Sequence, residues 1–140
     1  VNEHLAALYV LIRRFEGCRL RAYICPAGAW TIGWGATGKG VFPGAVWTQA
    51  QADARLYQDA QVFVAAVLKA SPSLTGGALC AIADFAYNLG AGAYRGSTLR
   101  RCIDAGDMEG AKRQLARWVN GGGRVLPGLV LRRAAESALL

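Results

Sequence analysis

The sequence predicts an α+β fold: a small lobe with a short antiparallel β-sheet, a long connecting helix and a larger all-helical lobe. Apolar residues recur at helical spacing over residues 4–15 and again from residue 49 onward. Between them, residues 19–35 shorten into two brief runs split by Pro26-Ala27-Gly28, the pattern of a hairpin. One long helical stretch, about 49–68, joins the two regimes and is the natural connector. At 140 residues and 54% hydrophobic content the chain can bury a real core, so 1–140 reads as one domain. The sheet-bearing lobe is expected at about 15–48 and the helical lobe at about 49–140, with the N-terminal helix packed on it.

In "HLAALYVLIRRF", Leu5, Leu8, Leu11, Ile12 and Phe15 fall on one helical face, with Asn2 as a cap and Gly17 as the stop. "RLRAYI" and "AWTIGWG" supply the strands. The loop "GATGKGVFPG" leads to Thr48, which caps a helix from about Gln49 to about Leu68. Ser71-Pro72 breaks the chain, and "LTGGALCAIADFAYNLG" reads as a buried helix ending at Gly90. Ser97 or Thr98 caps "LRRCIDAG", Asp107 caps "MEGAKRQLARWV", and Pro127 opens "GLVLRRAAESALL" as the last helix. Nothing repeats at a solenoid period.

The net charge of +7 is spread evenly, with seven basic against four acidic residues in 1–70 and nine against five in 71–140. Such a surface suits loose attraction to an anionic polymer, a cell envelope or a nucleic acid, and equally well plain solubility. Charge alone supports no nucleic-acid partner, because no reading motif accompanies it. No run approaches the roughly 20 apolar residues of a bilayer span, and "HLAALYVLI" stops at Arg13-Arg14. The chain as given reads as soluble; it begins with Val1, and an upstream export segment is expected to be missing from it. Cys18, Cys25, Cys80 and Cys102 form no C-x-x-C pair and His4 is the only histidine, so no metal and no cofactor is expected. Cys80 and Cys102 read equally as buried small hydrophobes or as a disulfide.

Glu16 is the most oddly placed carboxylate. It ends a helix, where the macrodipole disfavours negative charge, and it follows Phe15, which partly desolvates it. Both effects raise its pKa, and a carboxylic acid that holds its proton near neutrality is what a general acid needs. Position alone fits a solvated glutamate at a frayed helix end better. What favours chemistry is the company Glu16 keeps: Glu16, Cys25 and Thr31 stand as E-x8-C-x5-T, followed directly by "TIGWG".

This pattern resembles the bacteriophage-type lysozymes, the endolysins of glycoside hydrolase family 24. The resemblance continues in order through "DFAYNLG" at 84–90, "GSTLRR" at 96–101 and "RWVNGGGRVLPGLVLRRAAE" at 117–136. It implies a lysozyme-like fold and an enzyme that, as a monomer, hydrolyses the β-1,4 bond between N-acetylmuramic acid and N-acetylglucosamine in peptidoglycan. Glu16 would be the general acid, Cys25 and Thr31 would hold or activate the attacking water, and Tyr87 and Asn88 would touch the glycan. Residues read without the resemblance make 87 and 88 an ordinary helix end. Two departures stand out. Ala36 follows the "TIGWG" turn where many members carry His, which predicts the loss of a polar tie between that loop and the rest of the small lobe. Cys25 stands where many carry Asp; a thiol with an ordinary pKa of about 8.5 is mostly neutral at pH 7 and leaves more of the work to Thr31.

The resemblance extends to exported, signal-arrest-release endolysins, tethered to the membrane through an N-terminal anchor that is not expected within these 140 residues. It implies a periplasmic site of action and a caging disulfide between Cys18 and Cys25, against the alternatives of one ordinary disulfide or two free thiols. Trp118 reads as core, while Trp30 and Trp34 fit either a cleft lining or lobe packing. Arg132 and Glu136, four residues apart on the last helix, read as an exposed pair. A non-catalytic peptidoglycan-binding module is the alternative function, and the presence of both Glu16 and Thr31 argues against it. A cysteine hydrolase built on Cys25 lacks a nearby base, since His4 precedes the first helix.

Overall fold

The computed structural model describes residues 5–140; Asn2 and His4, and with them the expected first cap, lie outside the described residues. The first helix, α1 (Ala6–Glu16), ends where Gly17 takes a positive φ of 66°, as the sequence predicts. β1 (Arg19–Ile24) and β2 (Trp30–Gly33) then pair antiparallel, Tyr23 opposite Thr31 and Ile24 opposite Trp30, with an irregularity between Arg19 and Tyr23. The other edge of β1 is partly covered. Ala22 donates to the Ala45 carbonyl and Trp47 to the Leu20 carbonyl, so the loop before the long helix folds back as a third, short partner.

That loop is not left untied by Ala36. Arg55 donates through Nη1 to the Lys39 carbonyl (2.6 Å) and through Nη2 to the Thr37 carbonyl (2.7 Å), while Asp59 holds its Nε at 2.9 Å. The expected loss of a polar tie is thus corrected: an arginine of the connecting helix takes the place of a histidine within the turn.

The connector α2 (Gln49–Ala70) starts on a capping box in which the Thr48 hydroxyl accepts from Gln51 N–H and the Gln51 side chain accepts from Thr48 N–H. It runs two residues beyond the expected end, to Ser71 as the C-cap. α3 (Gly76–Leu89) is buried through its middle, from Cys80 to Ala86, and stops at Gly90. A short α4 (Ala91–Arg95) was not legible beforehand. Ser97, rather than Thr98, caps α5 (Thr98–Asp104), and Asp107 caps α6 (Met108–Leu115). α6 ends earlier than expected. The chain from Asn120 to Val125 makes instead a minimal hairpin, β3 (Asn120–Gly121) and β4 (Arg124–Val125), turning on Gly122 and Gly123 at positive φ. Pro127 occupies the first turn of α7 (Pro127–Ser137).

Two apolar clusters organise the helices. Leu8, Tyr9 and Ile12 of α1 meet Leu56 and Ala60 of α2 and Cys80 and Ala83 of α3. The second cluster joins Val67 to Ile82, Phe85, Tyr94, Leu99 and Leu115. Trp118 packs against it edge-on to Phe85, ring centroids 5.2 Å apart, in the core role expected of it. Cys80 belongs to the first cluster and Cys102 packs on the second, so the two do not form a pair. α3 touches α1, α2, α4 and α7; Glu16 ends α1, Tyr87 and Asn88 lie on α3 itself, and Cys25 and Thr31 belong to the β1–β2 hairpin. No helix among the described residues is long and apolar enough to cross a membrane.

Candidate active site

Glu16 closes α1 and meets α7 there. Arg132 Nη1 lies 2.6 Å from Glu16 Oε1, while Arg132 Nε and Nη2 lie 2.9 and 2.8 Å from the two oxygens of Asp84 on α3. Arg132 is 3% exposed and Asp84 is fully buried, so a three-pronged guanidinium ties three helices together beneath the surface. Burial pulls the Arg132 pKa down, but the bonds and charges of Asp84, and then of Glu16, outweigh it and hold it up. The Arg132 side chain also stands 5.7 Å from the Phe15 ring centre. Glu16 is therefore not an acid isolated beside an aromatic ring; it has a buried counter-ion.

The other face of Glu16 is set by the "TIGWG" turn. A Cβ on Gly35, whose φ is 86°, would stand 2.5 Å from Glu16 Oε2, so only glycine allows the turn to lie against the carboxylate. Gly33 is similarly constrained, by the Trp47 ring at 3.1 Å. Trp34, between them, donates its ring N–H to Asp53 (2.8 Å) and its carbonyl accepts from the Tyr87 hydroxyl (2.6 Å). Trp34 thus packs the lobes together. Tyr87 is committed to the same bridge, and burial, followed by the charges of Glu16 and Asp59, holds its hydroxyl above the usual tyrosine value.

Cys25 and Thr31 are brought together at the hairpin. Hydrogen bonding from the Ala29 amide and then the Thr31 hydroxyl lowers the Cys25 pKa, burial opposes it, and the amides of Ala27 and Gly28 add smaller downward effects. Thr31 is buried, and its hydroxyl donates 3.0 Å to the Ala29 carbonyl. One hydroxyl proton cannot serve both acceptors, so Thr31 turns to the sulfur only by leaving Ala29. Burial raises the Tyr23 pKa, the Arg19 charge opposes this, and the Glu16 and Cys25 charges add to it.

No bond joins Cys18 to Cys25; both are free thiols, and Gln49 lies 3.7 Å from the Cys18 sulfur. β1 separates them. Even the shorter side of its ladder, Gly33 to Trp30, is three steps of about 3.3 Å, and both cysteines lie beyond its paired ends. A disulfide requires Cα atoms within about 7 Å. The expected Cys18–Cys25 bond is thus incompatible with this fold of β1.

Three adjoining hollows form a groove with Glu16 at its centre. One of about 300 Å³ is lined by Phe15, Glu16, Asn88, Leu126, Leu129 and Arg132. Leu126 also lines a hollow of about 660 Å³ between the tips of the two hairpins, Pro26 and Ala27 facing Gly121 and Arg124. On the far side Gly35, Arg55, Phe63 and Tyr87 border a third, of about 270 Å³. Asn88 accordingly reaches the groove beside Glu16. Among the described residues no cluster is suited to hold a metal ion.

The sequence reading missed Arg132 and Asp84, and its assignment of Arg132 and Glu136 to an exposed pair is wrong. Glu136 is fully buried, 2.7 Å from Arg133 Nε, and Arg133 is 1% exposed. Burial, then a hydrogen bond with Asp84, pushes the Glu136 carboxyl up to about 10. The available signal was Asp84 itself, a lone charge inside the apolar run "ALCAIADFA", which demands a buried partner.

A groove between a sheet-bearing lobe and a helical lobe, with a carboxylate at its centre, is the arrangement of a lysozyme-type glycoside hydrolase. The sequence profile of the phage lysozyme family matches residues 13–136, and the chain belongs to that family. It is 43% identical over 135 residues to an endolysin of Acyrthosiphon pisum secondary endosymbiont phage 1, covering 93% of this chain and 92% of the relative. It is 40% identical over 125 residues to a SAR-endolysin of Bacteriophage PS119, covering 86% of this chain and 73% of that one. Among solved structures, the muramidase domain of SpmX from Asticaccaulis excentricus superposes with a TM-score of 0.88 at 33% identity, covering 99% of this chain and 97% of that one.

Proposed function

We propose that the protein is an endolysin that cleaves the β-1,4 bond between N-acetylmuramic acid and N-acetylglucosamine in peptidoglycan, acting in the host periplasm after export. The observation that carries this reading is Glu16 in the middle of the groove, one oxygen anchored and the other against Gly35. Arg132 spends two of its three bonds on Asp84, so its charge is largely answered before Glu16 is counted. Oε2 is the oxygen placed to pass a proton to the leaving glycosidic oxygen. On the hairpin side, Thr31 and Cys25 hold the attacking water, the sulfur serving as a thiolate or as a weaker water-positioning group and the hydroxyl swinging from Ala29 to complete the site.

The finer regulatory reading follows from the two cysteines at the ends of β1. A Cys18–Cys25 disulfide belongs to a second, inactive conformation in which β1 has left the sheet, and reduction lets β1 form. Likeness to a SAR-endolysin and the partial exposure of both free thiols support it.

One experiment tests both levels: loss of turbidity of permeabilised Gram-negative cells, with and without reductant, for wild type, Glu16→Gln and Cys18→Ser. Glu16→Gln should lose on the order of 10²-fold or more at unchanged fold. Activity within a few-fold of wild type would remove Glu16 from the chemistry and favour a peptidoglycan-binding module. Wild type purified in air should need reductant while Cys18→Ser does not; indifference to reductant leaves an unregulated enzyme.

A further inference from the structure

Asn88 is held by a contact that has no part in the acid chemistry. Arg133 Nη2 donates to Asn88 Oδ1 at 2.8 Å and to Glu136 Oε2 at 3.0 Å, using both of its hydrogens, while Arg133 Nε stands 2.7 Å from Glu136 Oε1. The guanidinium also lies over the Phe85 ring, 5.1 Å from its centre. Arg133 and Glu136 are buried to 1% and 0% exposure, and Arg133 Nε and Nη1 already lack a hydrogen-bond partner there, so Nη2 carries the directional contacts of this guanidinium.

An asparagine amide is nearly symmetric in shape and opposite in chemistry at its two ends. A guanidinium has donors only, so the Asn88 oxygen must face Arg133, and the amide N–H groups must face the other way. Asn88 lines the hollow beside Glu16. A flip would set donor against donor and leave a buried Arg133 hydrogen without its acceptor.

We infer that Arg133 and Glu136 fix Asn88 so that its N–H groups face the groove, where they bind the acetamido carbonyl of an N-acetylated sugar. An acetamido group has a carbonyl acceptor and a methyl, and the hollow offers the Asn88 donors together with the apolar walls of Leu126, Leu129 and Phe15. Asn88 is then the group that selects N-acetylated over de-N-acetylated glycan, and Arg133 and Glu136 are positioning residues. This rests on the proposed glycan substrate.

The test compares kcat/KM on intact peptidoglycan, on strands de-N-acetylated only at glucosamine, and on strands de-N-acetylated only at muramic acid. Wild type should lose about 3- to 10-fold on one of the two, the value of one neutral hydrogen bond, and that preparation names the sugar that is read. Asn88→Asp keeps the shape and the Arg133 contact but offers an acceptor to the groove; it should lose the same factor on intact strands and no longer distinguish the preparations. Arg133→Gln should erode the discrimination ratio and Arg133→Lys should restore it, a ratio that mere loss of stability does not move. Discrimination unchanged in Asn88→Asp overturns the inference. If wild type cleaves none of the preparations, the proposed function fails, and the inference is read by calorimetry alone: preference for the N-acetylglucosamine tetramer over the glucosamine tetramer, present in wild type and absent in Asn88→Asp, upholds it, and equal binding overturns it.

Discussion

Glu16 divides its two oxygens between an anchor and an opening: Oε1 is bound by Arg132 and Oε2 lies against the glycine of the turn. Across the hairpin, position 25 carries a sulfur surrounded by donors, a setting that would serve a carboxylate equally well. Cys25→Asp should therefore match or exceed wild type under oxidising conditions, because a carboxylate is ionised at neutral pH and forms no disulfide, whereas Cys25→Ala should be much weaker. Turbidity loss checks this, and equal rates for Asp and Ala would leave Thr31 as the only side chain on the water. Positions 16, 25 and 31 stand out in the sequence because a family pattern gives their spacing. Arg132 does not, because two charges four residues apart on a helix look the same in sequence whether water or Asp84 answers them. Only packing α7 against α3 distinguishes the cases.

At the level of elements, sequence was most informative where a single side chain does a local job. Thr48, Asp107 and Pro127 each begin a helix where expected, since caps act within three residues and need no tertiary partner. Thr48→Ala should lower stability by about 1 kcal/mol, shifting the urea midpoint without changing the slope. A midpoint within error of wild type would mean that Arg55, which pins the preceding loop onto α2, sets that helix start by itself. The β3–β4 hairpin and α4 escaped notice for the opposite reason. Two-residue strands have no alternation to read, and five helical residues between two glycines show no apolar period. The hairpin nevertheless forms one lip of the groove.

The molecule as a whole buries several charged groups where its helices converge, and this has a pH signature. Glu136 holds its proton in the folded chain up to about 10, while the unfolded chain releases it near 4.5. The folded state therefore binds more protons between these values, and this contribution to stability is fully present below the lower value and fades as pH rises through the window. Melting temperatures at pH 5 and pH 9 should show wild type losing ground to Glu136→Gln as pH rises; parallel slopes would place the carboxyl of Glu136 in its ionised form throughout. The same convergence bears on how the protein is made. Glu16 and Arg132 are 116 positions apart, the most distant kind of contact to form. A ribosome that has delivered everything through α6 has produced an acid without its anchor and an Asp84 with no cation to meet it. The bond between Glu16 and Arg132 comes into being only when the last helix docks, so the counter-ion is the last neighbour this carboxylate receives.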